Sequence, residues 1–359
     1  GVSWRILLED INIAWAQHHS GQPIALAAGG TSFARWSKVL AKYAHTHDAL
    51  RQAESWRQIT AAPPALPPVE PCRDTYANAG QLSVSLDTDT TRRLLGEVPA
   101  AFHAGVQDIL LIAFGLAFQE FLGTDAPIGI DVEGHGRAEE LVADEVDLSR
   151  TVGWFTAKYP VALSLGEISW EQVVAGEAAL GAVIKAAKEQ LRALPDGVTY
   201  GLLRYLNPDV ALDAADPASG LNYLGRMGTG ELSDDLWRMD ADASSLLSAA
   251  AAIDMPLMHT VGVNAGTLDT ESGPTLQASW TWATAALDDE QVHRLSRLWF
   301  DALGGICTHV RNGGGGLTPS DILPAQLNQG QIDSLNRQFE IADVLPLTPV
   351  QQGLLFHST

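Results

Sequence analysis

The apolar positions alternate between helical and extended spacing along most of the chain. Val2, Ile6, Leu7 and Ile11 recur at near-helical intervals, with His18 and His19 at the polar end of that helix. Thr31 to Tyr43 predicts an amphipathic helix with a Thr/Ser start. Residues 62–71 hold five prolines, which lack the amide N–H of helix and ladder. They predict an extended crossing, and a lobe boundary falls there. Gln81 to Leu86 alternates as a strand, and Thr88 to Leu95 begins a helix capped by Thr or Asp. Ala104 to Leu122 is apolar nearly all round, so it predicts a helix buried on most sides, ended by Gly123. That helix delivers the chain into a strand. Ile128, Ile130 and Val132 alternate there with Gly129, Asp131 and Glu133, giving one apolar face and one bearing two carboxylates.

Thr151 to Phe155 and Tyr159 to Leu163 are β-rich and aromatic. Ser169 to Gln172 forms a capping box, predicting a long helix to about Ala193 that Pro195-Asp-Gly197 stops. Residues 207–219 are polar and Ala/Asp-rich, as a loop would be. Leu221 to Leu224 predicts a short strand with Asn222 and Tyr223 facing opposite ways. Leu257 to Leu268 and Thr275 to Thr284 suggest an antiparallel pair. Asp288 to Glu290 caps a final amphipathic helix that runs to Ile306 and beyond. Asn312 to Gly316 predicts a flexible break.

With 46% hydrophobic and 18% charged residues in 359, a sizeable core is possible and general disorder is excluded. A formal net charge of −21 makes nucleic acid and anionic membranes poor partners. No apolar stretch reaches the length of a membrane span. Cys72 and Cys307 have neither metal spacing nor a disulfide framework, and a reducing cytoplasm is the default. No metal and no directly bound cofactor is expected.

The strand ending at Glu133 runs out into Gly134-His135-Gly136-Arg137. A carboxylate at a strand end, with an imidazole and a guanidinium in the flexible loop after it, suits acid–base chemistry. The same pattern also occurs in ordinary solvated turns. Three further blocks lie downstream. They are Arg150-Thr-Val-Gly-Trp154-Phe155-Thr-Ala-Lys-Tyr-Pro160, Pro195-Asp-Gly-Val-Thr-Tyr200-Gly-Leu-Leu-Arg-Tyr205 and Leu221-Asn222-Tyr223-Leu-Gly-Arg226. In order and spacing, these and the Glu133 block resemble the signatures of epimerization domains of nonribosomal peptide synthetases. Those domains belong to the condensation-domain superfamily. The resemblance covers roughly residues 1–312.

The resemblance implies a chloramphenicol-acetyltransferase-like α/β fold with two αβα lobes, the first incomplete here. Residues 1–70 would be its remnant and 71–312 the second lobe. Residues 313–342 would be a linker, and 343–359, containing Pro346-Leu-Thr-Pro349, the start of the next condensation domain. The implied activity is L-to-D inversion at Cα of an aminoacyl or peptidyl thioester. The substrate arrives on the phosphopantetheine arm of an upstream peptidyl carrier domain, and the downstream condensation domain is a second partner. Gly1-Val-Ser-Trp4 matches the end of the superfamily motif H-H-x-x-x-D-G-V-S-W. The catalytic histidine would then lie upstream, leaving these 359 residues inactive alone and Val2, Ile6, Trp15 and Trp36 uncovered. By resemblance Glu133 is an acid–base residue. Asn222 and Tyr223 orient substrate or stabilise an enolate. Ser3, Trp4, His135, Arg137, Trp154 and Tyr200 line the channel, with His135 and Arg137 also holding the Glu133 loop. The rival assignments are a peptide-bond-forming condensation domain and a non-catalytic carrier-docking platform.

Overall fold

The computed structural model describes residues 2–142, 146–227, 236–237, 254–339, 341, 343–351 and 354. Four helices come first: α1 (Val2–His19), α2 (Phe33–Tyr43), α3 (His47–Leu50) and α4 (Ala53–Thr60). Then follow β1 (Gly80–Ser85), α5 (Thr88–Leu95), α6 (Glu97–Phe102), α7 (Val106–Leu122), β2 (Ile128–Gly134) and β3 (Ala157–Leu163). After them come α8 (Trp170–Ala175), α9 (Ala178–Arg192), α10 (Gly197–Leu206) and β4 (Ser219–Met227). β5 (Val261–Thr270), β6 (Gly273–Trp282), α11 (Asp289–Arg311) and α12 (Gln329–Asn336) complete the order.

The strands form one six-stranded sheet in the order β1-β6-β5-β4-β2-β3. It is mixed. β4 runs parallel to both β2 and β5, and the remaining pairs are antiparallel. Val132 faces Tyr159 and Glu133 faces Lys158 across the β2–β3 ladder, so cross-strand partners share a face. Ile128, Ile130, Val132, Val261, Val263 and Ala265 are all buried on the apolar face. Helices α5, α7, α9 and α11 pack there. Helix α10 lies along the β3 edge with α2, α3 and α4 around it, which covers an edge that would otherwise offer free ladder groups. Trp56 on α4 joins this cluster. Its ring lies 5.2 Å from that of Tyr200, and its indole N–H donates to Thr199 Oγ1 at 3.0 Å.

Local signals are met at several boundaries. Ser32, Asp87, Ser169, Asp196 and Asp288 cap their helices, and Gly123 ends α7 in a left-handed conformation. Four expectations are corrected. Thr151 to Phe155 forms no strand, because side chains satisfy its backbone: Arg137 donates to Thr151 O at 2.8 Å, and Ser3 Oγ bonds both the N–H and the C=O of Gly153. The long helix after Ser169 breaks at Gly176, whose φ is +66° and which packs directly on Gly305 and His309 of α11. The glycine run after α11 is not a free hinge. Gly316 N–H donates to Ala101 O at 2.8 Å, and a Cβ on Gly315 would stand 2.6 Å from that same oxygen. Finally, Ile6 and Trp36 are buried, while Val2 and Trp15 are exposed.

Residues 317–336 are held on the domain. Lys188, fully buried, bonds both oxygens of Asp321 at 2.6 Å and Phe102 O at 2.8 Å. Leu317, Ile322 and Ile332 make a small core of their own.

Phe114 sits where α7, β6 and α11 meet, with ring centroids 4.8, 5.9 and 6.2 Å from Phe118, Trp280 and Trp299. Phe114→Ala should leave a cavity and cost about 3–5 kcal/mol, read as a lower denaturant midpoint at unchanged slope.

Candidate active site

The sheet face opposite the helices is polar by alternation. Asp131 and Glu133 on β2, Lys158 on β3, Gly220 and Asn222 on β4, and Gly262 and Asn264 on β5 line one pocket with His259, Tyr76 and Met258. The free volume inside is about 80 Å³. Glu133, half-buried, is part of that lining. Asn222 Nδ2 donates to Glu133 Oε2 at 3.1 Å and to Asn264 Oδ1 at 3.2 Å. Both hydrogens of that amide are thereby engaged.

Burial pushes the Glu133 carboxyl above its ordinary value, and nearby Asp131 adds to the rise. His259 and Lys158 act the other way without cancelling it. Tyr76 is held above the usual phenol range by burial and by Glu133.

Under the pocket runs a chain of charges. Asp131, 3% exposed, accepts from Lys158 Nζ at 2.8 Å and bonds His259 Nε2 at 2.9 Å, both through Oδ2. Lys158 also donates to Asp216 Oδ2 at 2.8 Å, and Asp216 Oδ1 accepts from Arg204 at 2.6 Å. Arg204 reaches the Tyr200 hydroxyl. Burial alone would depress the Lys158 ammonium, but Asp131 and Asp216 outweigh it and hold it up.

The structure brings Glu133 and Asn222 together. It does not bring Tyr223 to them. Tyr223 points to the apolar face of the sheet, where its hydroxyl bonds Thr267 Oγ1 at 3.0 Å. Tyr200 is buried against Trp56 and Arg204, outside the pocket lining. Arg137 lies 4.0 Å over the Phe155 ring and binds Leu148 O, Thr151 O and Ser3 Oγ, which ties the loop after β2 to α1. Gly136 between them has φ +64° and its α-carbon faces Phe155 O so closely that no side chain fits. His135 is exposed and accepts from Arg137 N–H through Nδ1 at 3.0 Å. Trp154 is 84% exposed and Trp4 63%.

Sequence reading did not find Lys158, His259, Asn264 or Tyr76. The period-two pattern of β5 put Gly262 and Asn264 on one face, but only the sheet order sets that face beside Glu133.

A family model described as the condensation domain matches residues 1–246. The chain belongs to the condensation-domain family. Its relatives are parts of nonribosomal peptide synthetases. One of the linear gramicidin synthase subunits of Brevibacillus parabrevis is 38% identical over 371 residues, which cover all of this chain and 4% of that protein. The chain thus spans a small part of the curated relatives it matches. Among solved structures, the epimerization domain from the third module of tyrocidine synthetase B is 28% identical with a TM-score of 0.69, covering 87% of this chain and 67% of that one. The first condensation domain of the calcium-dependent antibiotic synthetase, in complex with a substrate analogue, is 14% identical. Its TM-score is 0.56, and the match covers 86% of this chain and 61% of that one. Among the described residues this chain's six-stranded mixed sheet, with helices packed on it, accords with the chloramphenicol-acetyltransferase-like fold. Among the described residues no single helix is long and apolar enough to cross a membrane.

Two outcomes follow from this electrostatic arrangement. Lys158→Met leaves Asp131 buried without its cation and should lower stability by about 3 kcal/mol, measured by denaturant unfolding. The raised Glu133 carboxyl means the native state binds more protons than the unfolded state between the ordinary and the raised value. This group's contribution to stability therefore falls as pH rises through that window. Glu133→Gln should remove that downward slope, seen by comparing unfolding free energies of both proteins across the window.

Proposed function

We propose that this condensation-family domain epimerises Cα of an aminoacyl or peptidyl thioester carried on a phosphopantetheine arm. The observation that carries the reading is Glu133, half-buried, raised in pKa and held by Asn222 in the lining of a polar pocket. The likeness to a solved epimerization domain at 28% identity supports it.

A carboxylate in water is a weak base toward a Cα–H bond. Desolvation makes Glu133 a stronger one, closer to the range where proton transfer in both directions is efficient. Glu133 takes the Cα proton, the electron pair moves into the thioester carbonyl, and an enolate forms. A proton then returns to the opposite face of Cα. By family resemblance its donor is the histidine of the motif whose last residues match Gly1 to Trp4. The Asn222 amide, spent on Glu133 and Asn264, orients the base and leaves no N–H for the enolate oxygen. Tyr223, on the far face, acts on the packing of β4 against β5. The partners of the reading are an upstream carrier domain and a downstream condensation domain of the same assembly line.

Glu133→Gln keeps the shape and removes proton transfer. In the intact protein it should slow inversion by about 10²–10⁴-fold, with a thermal melt showing the fold retained. The measurement is Cα–H exchange in deuterated water and chiral analysis of products from both enantiomers, with no acceptor substrate present. Near-normal inversion by a folded Glu133→Gln protein overturns the reading. Product that forms only when an acceptor amine is added assigns peptide-bond formation instead.

A further inference from the structure

Glu133 ends the first half-reaction protonated and must lose that proton before the next turnover. The pocket also holds a histidine that the family resemblance did not single out. His259 precedes β5 and lies across the polar face of the sheet. Its ring is seated over glycine. Gly220 and Gly262 are cross-strand partners on β4 and β5, and a Cβ on Gly220 would stand 2.6 Å from both Cε1 and Nδ1 of the ring. Only an absent side chain lets imidazole lie that low.

The ring is also oriented. Nε2 meets Asp131 Oδ2 at 2.9 Å, while Asp131 is nine-tenths buried and already bonded to Lys158. Oδ2 already accepts from the Lys158 ammonium, so it serves as an acceptor for the ring as well, Nε2 carries the hydrogen and Nδ1 has the free lone pair. Among the described residues Nδ1 has no hydrogen-bond partner. Asp131 Oδ1 also has none, so the carboxylate keeps unspent capacity to stabilise positive charge on the ring. This is the logic of a carboxylate-oriented imidazole base, arranged beside a carboxylic acid rather than a hydroxyl.

We propose that His259 is the proton relay that resets Glu133. The inference rests on the acid–base reading of Glu133. The Glu133 O–H bond breaks and an Nδ1–H bond forms at His259, through one solvent molecule in the pocket. Glu133 returns to carboxylate, the imidazolium is held by Asp131, and its Nδ1 proton passes to bulk water. No electrons change hands. His259 touches no reacting carbon and acts through Glu133.

The test uses the intact protein with its carrier-bound aminoacyl thioester. His259→Gln keeps a donor toward Asp131 and removes the free ring nitrogen. It should lower kcat by about 10²-fold with KM unchanged, and added imidazole should restore the rate. Wild-type kcat with no response to imidazole, beside an inactive Glu133→Gln, overturns the relay and leaves the epimerase reading standing. Near-normal inversion by Glu133→Gln overturns both. A second measurement needs no variant: ¹⁵N chemical shifts of His259 in the unsubstituted protein should report the Nε2-protonated tautomer. The Nδ1-protonated tautomer would overturn the proposal.

Discussion

A buried carboxylate is the constraint on which the rest of the polar face depends. Asp131 sits in the middle of β2 with almost no contact with water. An unpaired charge there would cost several kcal/mol. Lys158 from β3 and His259 from the segment before β5 both converge on one of its oxygens. Asp216 and Arg204 then extend the alternation of charge to α10. The links tie β2, β3, α10 and the segments before β4 and β5 to one another, so the ion network fixes the floor on which Glu133 stands. A well-packed apolar floor would be as stable or more so, which makes the charges hard to explain by stability alone.

The sheet separates two tasks by the pleat. Odd-numbered residues of β5 and even-numbered ones of β2 bury the core against α7 and α11. Their neighbours build the pocket. Because the side-chain period is two, sliding β2 by one residue would send Ile130 into the pocket and Asp131 into the core. The ten-residue β5–β6 ladder and the β2–β3 register therefore protect the chemistry as much as the fold.

Much of this is legible in the sequence. The alternation from Ile128 to Glu133 predicts a two-faced strand, and the apolar run after Ala104 predicts a helix buried on most sides. Each signal is local, a matter of period and caps. Tyr223 shows where local reading ends. Adjacent residues on a strand face opposite ways, so a motif that pairs Asn222 with Tyr223 can place only one of them on a given face. Thr151 to Phe155 shows a second limit. Its residues suit a strand, yet Ser3 and Arg137 take its backbone groups, and nothing local records partners 150 and 14 residues away. His259 and Lys158 are invisible for the same reason, since only the strand order brings them to Asp131.

The docking of residues 317–336 changes the mechanics of whatever follows them. A free chain over residues 313–342 would wander with a root-mean-square span of about 30 Å, by the scaling for flexible linkers. With Ile332 in its small core, Ile341 and Val344 packed against that core and Lys188 clasping Asp321, the chain stays held to the domain along this stretch. Any domain joined beyond such a docked stretch would be confined to a far smaller volume than a free linker allows, and its effective concentration at this one would rise with no added contact between them.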